Sequence, residues 1–116
     1  ILIHNEYDVI FGGYTSVSWL FSHQFLSDKT AFLFQLKPKL MIFNQKIPNN
    51  HLAIYDAIEY GFGYSDIAIK DHCNVNRQSS SNPYTYKFND SSELIGGSAK
   101  SNGFFNIIDI ETFLVE

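Results

Sequence analysis

Phe11-Gly12-Gly13-Tyr14-Thr15-Ser16-Val17-Ser18-Trp19 sets two adjacent glycines between aromatics, then hydroxyl residues, then the only tryptophan of the chain. Two missing Cβ atoms let the backbone turn with positive φ or press directly against a neighbouring strand. Thr15, Val17 and Trp19 alternate with Tyr14, Ser16 and Ser18, so the pattern predicts a strand leaving the glycines. The same run also fits a glycine-permitted bulge or tight bend with aromatics packed around it.

Working outward, Ile1 to Ile3 and Val9 to Tyr14 are β-rich and separated by the polar Asn5-Glu6-Tyr7-Asp8, which predicts a hairpin. In its second strand Val9, Phe11 and Gly13 share one face, and Ile10, Gly12 and Tyr14 the other. Both faces carry apolar groups, as in a strand inside a sandwich. Leu20 to Leu26 has neither clean period and reads as a loop over the core. Ala31 to Leu36 reads as a strand closed by Lys37-Pro38, with Phe32, Phe34 and Leu36 opposite Leu33 and Gln35. Leu40 to Phe43 is a short apolar stretch, Ile47 to Asn50 a turn, and His51 to Tyr55 a strand. Glu59-Tyr60-Gly61-Phe62-Gly63 predicts a second glycine-aromatic bend, and Asp66 to Asp71 alternates again. From His72 to Ser92 the composition shifts to Asn, Ser, Asp and Tyr, which reads as a long surface excursion, pinned by Tyr84, Tyr86 and Phe88. Gly96-Gly97 then turns the chain into a final strand from Phe104 to Val115. This spacing is that of a compact all-β meander.

The chain has 116 residues, 45% of them hydrophobic, which suits one globular domain over 1–116. A net charge of -4 without a basic stripe argues against nucleic acid as a partner. The lone Cys73 cannot close an intramolecular disulfide, so a reducing, intracellular and cytoplasmic setting is expected. No apolar run approaches the roughly 20 residues of a membrane span. The opening Ile1-Leu2-Ile3 is already strand-like without a leading methionine, and the chain is expected to be part of a longer protein.

Asp109 and Glu111 are the most suggestive polar pair. On a regular strand both would share a face with Phe105, Ile107, Phe113 and Val115, their Cα atoms about 6.6 Å apart. Carboxylates inside an apolar stripe are costly unless paired or hydrogen-bonded. They serve either acid/base chemistry or cation binding, or they accept hydrogen bonds from backbone donors near Gly12-Gly13 or pair with a lysine. The four histidines are dispersed and Asp66 with Asp71 fits no calcium loop, so no metal and no cofactor are expected. Gly61-Phe62-Gly63 lacks the third glycine of a dinucleotide loop. Phe21, Phe25, Tyr55, Tyr60, Phe62 and Tyr64 fill a second core face or form a protein-binding surface.

Four segments in register resemble the TLDc domain family of the oxidation resistance proteins. They are the Phe11-to-Trp19 run, Ala31-Phe32-Leu33-Phe34-Gln35-Leu36, Tyr60-Gly61-Phe62-Gly63-Tyr64-Ser65-Asp66-Ile67, and Phe105-Asn106-Ile107-Ile108-Asp109-Ile110-Glu111-Thr112-Phe113. Two departures stand out: Tyr60-Gly61 replaces the family's Gly-Pro, and Asp109 replaces the first Glu of Glu-Ile-Glu. The resemblance implies a mainly β fold with few short helices, a two-sheet antiparallel β-sandwich lacking the family's N-terminal part. It implies a non-catalytic intracellular protein-interaction domain, linked to oxidative-stress protection and to regulation of the vacuolar proton-pumping ATPase. Gly12, Gly13, Trp19, Phe62 and Gly63 would then be architectural, and Asp66, Asp109 and Glu111 polar organisers. Two other functions stay open: a hydrolase-like or redox enzyme using Asp109 and Glu111, and a carbohydrate-binding or small-ligand-binding sandwich using Trp19 or several tyrosines exposed on a concave face.

Overall fold

The computed structural model describes residues 1–19, 22–46, 53–56, 60–63, 66–70, 79–80, 86 and 104–113. The first hairpin forms as its residues dictate, with β1 (Leu2–Asn5) antiparallel to β2 (Ile10–Tyr14). Asn5 shapes the turn: its Oδ1 accepts from the amides of Tyr7 at 3.1 Å and Val9 at 3.2 Å. Asp8 takes φ 57° there, a left-handed conformation that Asp tolerates better than most residues.

The remaining strands are β3 (Gln24–Leu26), β4 (Phe32–Lys37), β5 (Met41–Phe43), β6 (Ile54–Asp56), β7 (Tyr60–Phe62), β8 (Ile67–Ala68), β9 (Ser79–Ser80), β10 (Phe104–Phe105) and β11 (Ile107–Glu111). They form two antiparallel sheets, ordered β11-β1-β2-β4-β5 and β10-β9-β8-β7-β6-β3. The fold is mainly β, and among the described residues there is no helix, at the margins or elsewhere. The Cα radius of gyration of 12.9 Å matches the ~13 Å of a packed domain this long.

The core lies between the sheets. Across the first sheet one inward row runs Ile110, Ile3, Phe11, Gln35, Met41, residue facing residue on all five strands. Leu33 and Phe43 extend it, and Ile54, Phe62, Ile67 and Phe105 meet it from the second sheet. Phe11 and Phe105 join the sheets edge to face, with ring centroids 5.4 Å apart. Gln35 is the polar member of the row, its Nε2 donating to the carbonyl of Lys39 at 3.2 Å.

Several expectations change here. Gln24–Leu26 is a strand because β6 supplies its partners: Phe25 faces Tyr55, their rings 4.8 Å apart. Tyr60–Phe62 is likewise a strand, held between β6 and β8, and the bend begins only at Gly63. The excursion after His72 contains strand β9 and the buried Tyr86, which bridges Gln45. The expected final strand is two: β10 lies in the second sheet and β11 in the first, and Asn106 carries the chain between them. That crossing is tied to the first hairpin, as Asn106 accepts from the Glu6 amide at 3.0 Å and donates its own amide to Glu6 Oε1 at 3.1 Å. The expected turns at 47–50 and at Gly96-Gly97, and the pinning side chains Tyr84 and Phe88, lie outside the described residues.

Candidate functional site

Gly12 and Gly13 point to opposite faces of β2, so they do different work. A Cβ on Gly13 would lie 2.6 to 2.8 Å from ring atoms of Phe62, which projects from the other sheet. The missing side chain therefore lets the sheets approach until a phenylalanine rests on bare backbone. A Cβ on Gly12 would run into the carbonyl of Ile1 and lie 3.0 Å from the Phe34 ring. Trp19 packs on Phe62, ring centroids 5.7 Å apart at 78°. The indole is half-buried and joins the core's edge. The carbohydrate reading asked for an exposed indole platform, and this ring is not free on both faces.

The strand expected to continue through Thr15 and Val17 stops at Tyr14, and the reason is a carboxylate that the sequence pattern does not single out. Asp28 is only 6% exposed. Its Oδ2 accepts from Thr15 Oγ1 and the Ser16 amide, both at 2.6 Å. Its Oδ1 accepts from Thr30 Oγ1 at 2.6 Å, the Thr30 amide at 2.9 Å and Ser16 Oγ at 3.1 Å. Burial alone would push this carboxyl up, but the hydrogen bonds from Thr15, Thr30 and the Ser16 backbone outweigh it and hold it at about 2. A carboxylate so acidic is a poor general base near neutral pH. Asp28 instead clamps the segment after β2 to the turn before β4. Its signature was present in the sequence as Asp-x-Thr, the pattern of a side chain bonding its own backbone two residues on, opposite the Thr15-Ser16 hydroxyls.

A second buried carboxylate serves the other sheet. Asp66 is fully buried and accepts from the Tyr86 amide at 2.8 Å. Tyr86 in turn donates its hydroxyl to the Ala53 carbonyl at 2.8 Å, and burial together with Asp66 pushes its phenol up. Gly63 sits beside this group with φ 66°, its amide bonded to the same carbonyl at 2.9 Å. A β-carbon at that φ would be strained, so glycine is the residue that fits.

Asp109 and Glu111 are not in the apolar stripe. Asn5 pairs with Ile107 but His4 with Asp109, so Ile108 is an extra residue on β11. One inserted residue transfers everything after it to the opposite face. Ile110 consequently turns inward, while Asp109 and Glu111 are exposed on the outer face opposite His4 and Leu2. Asp109 accepts from the neighbouring Ile110 amide at 2.9 Å. The pair neither ends against the glycine backbone nor meets a lysine among the described residues.

A groove of about 500 Å³ is lined by Leu2, Phe34, Leu36 and Phe113 on the outer face and reaches round to Gly13, Trp19 and Phe62 on the inner side. Beside it His4 and Lys37 both bond Asp8, at 2.8 and 2.7 Å. The Lys37 hydrogen bond, with that of His4, holds the Asp8 carboxyl below the usual range. Among the described residues no three His, Cys, Asp or Glu side chains gather as a metal site, and no helix is long and apolar enough to cross a membrane.

Two facing antiparallel sheets closed over a glycine, with an apolar groove reaching onto the outer face of the first, define a β-sandwich module. The family model for the TLDc domain matches residues 1–116, so the chain belongs to the TLDc domain family. No curated protein and no solved structure matches it.

Proposed function

We propose that this chain is a non-catalytic, intracellular protein-interaction domain, acting in oxidative-stress protection through contact with the vacuolar proton-pumping ATPase. The observation that carries the reading is the apolar outer face of the first sheet, where Ile42, Leu36 and Phe113 stand exposed beside the groove. Exposed apolar side chains gathered on one face favour a macromolecular partner over a small solute. Family membership supports the same reading. The enzymatic alternative draws little support from Asp109 and Glu111, because both side chains stand in solvent on the outer face.

The test is cross-linked capture of the full protein from cells, with and without peroxide, scored for subunits of the proton pump. Recovery of those subunits, lost when Leu36 and Phe113 are replaced by serine, is the expected result. Capture that never contains pump subunits would sink the assignment of partner. Activity abolished by Asp109→Asn with Glu111→Gln, in a chain that still folds, would sink the non-catalytic reading.

A further inference from the structure

The outer face has an order that specifies its occupant. One row crosses all five strands as Glu111, Leu2, Gly12, Phe34 and Ile42, and the next runs Asp109, His4, Ile10 and Lys37. Leu36, the extra residue of a bulge on β4, stands out at 50% exposure, with Ile42 at 61% and Phe113 at 64%. Charge across this floor is uneven. Lys37 is already matched by Asp8, whereas among the described residues Asp109 and Glu111 have no cationic partner. The surface is an apolar trough with one unneutralised acidic edge.

Resting on the reading of this chain as an interaction domain, we propose that the face receives a basic amphipathic helix from a partner protein. Its apolar side lies over Leu2, Phe34, Leu36 and Phe113, and its Lys or Arg side chains meet Asp109 and Glu111. Five strands span about 19 Å from edge to edge, which about 13 residues of helix cross. Helices seat in such grooves through apolar anchors one turn apart, and complementary charge fixes their orientation.

The same rows disfavour the competing occupants. A second copy packed face to face, with its two-fold along the strands, would set each Glu111 against Ile42 of the other copy. With the two-fold across the strands, Glu111 would meet Glu111. Either arrangement buries a carboxylate without a partner. An anionic lipid surface would face the same carboxylates on a chain of net charge -4.

The full chain is titrated by fluorescence anisotropy with a helical Leu/Lys peptide of about 18 residues patterned to one apolar face. A Leu/Glu version, a scrambled Leu/Lys version and phosphatidylserine vesicles serve as the other arms. The amphipathic Leu/Lys peptide should bind at least about tenfold more tightly than either peptide control. Leu36→Ser with Phe113→Ser should weaken it by about tenfold, and Asp109→Lys with Glu111→Lys should shift preference toward Leu/Glu. Unchanged thermal melting of these surface variants shows that the fold persists. Equal binding of the scrambled peptide, indifference to Leu36→Ser with Phe113→Ser, vesicle binding, or self-association through this face in sedimentation would each overturn the inference. Capture of pump subunits with failed peptide arms would leave the interaction reading standing and this one fallen; peptide binding without capture would leave this inference standing and remove the pump as the partner.

Discussion

Along β2 two neighbouring glycines open onto two different environments. On the inner side Gly13 admits Phe62, Phe11 meets Phe105 edge to face, and Ile3 and Leu33 join the same buried cluster as Ile54 and Ile67 of the opposite sheet. On the outer side Gly12 lies between Leu2 and Phe34, and the side chains around it end in solvent or in the groove. The strands are shared, so the contrast is one of closure: the inner face is completed by this chain, and the outer face has apolar surface left over. Stability should therefore reside on one side and recognition on the other, which substitutions can separate.

The largest effect is expected where closure is tightest. Gly13→Val should destabilise by about 3 kcal/mol, because the new methyls overlap a phenylalanine ring that Trp19 and the core hold in place. Denaturant unfolding measures it. Coupling to Phe62 is the sharper test: Phe62→Ala alone leaves a cavity, but in the Gly13→Val background it relieves the overlap, so the double variant should be more stable than the sum of the singles. Strict additivity would show that the sheets do not close on this pair.

Much of that inner face was legible in advance. The alternation of Val9, Phe11 and Gly13, and of Leu33 and Gln35 against Phe32 and Phe34, grouped the right residues on shared faces, because period two survives wherever a strand is regular; with apolar groups on both faces, it did not say which face turns inward. It failed where the ladder is irregular. The extra Ile108 turned Asp109 and Glu111 outward, and a crossing at Asn106 divided one expected strand between two sheets. Bulges and crossings are fixed by partner strands far away in sequence, so a local pattern does not contain them. Short β3 was hidden for the same reason, since its pairing comes from β6. Asp28 lies between these cases: its turn signature is local, but Thr15 and Ser16 reach it from 13 and 12 residues away.

Asp28 gives the next effect in size, and one with a pH signature. Asp28→Ala should cost about 2 kcal/mol, as the Thr15, Ser16 and Thr30 donors lose a charged acceptor. The folded carboxyl, at about 2, lies below its ordinary 3.8. Its contribution is therefore fully present above pH 4 and fades as pH falls from about 4 toward 2, by on the order of 2 kcal/mol. Unfolding followed across that window should show wild type losing more stability than Asp28→Asn, whose amide does not titrate. Parallel pH profiles would mean that the clamp is not held by charge.

The outer face should give the smallest effect on stability, and that is what makes the contrast between faces testable. Ile42 and Phe113 are more than half exposed, and Asp109 and Glu111 are solvent-facing. Ile42→Ser, or Asp109→Asn with Glu111→Gln, should shift unfolding by within about 0.5 kcal/mol, the usual range for surface positions. Ile110, one residue along and turned inward opposite Ile3, is the internal control. Ile110→Ser should cost about 2 kcal/mol by removing apolar burial and leaving a hydroxyl at the core's edge. If Ile110→Ser proved as harmless as Ile108→Ser, β11 would run regularly from Ile107 with no inserted residue. Asp109 and Glu111 would then return to the inner face, and the acidic edge of the groove would disappear with them.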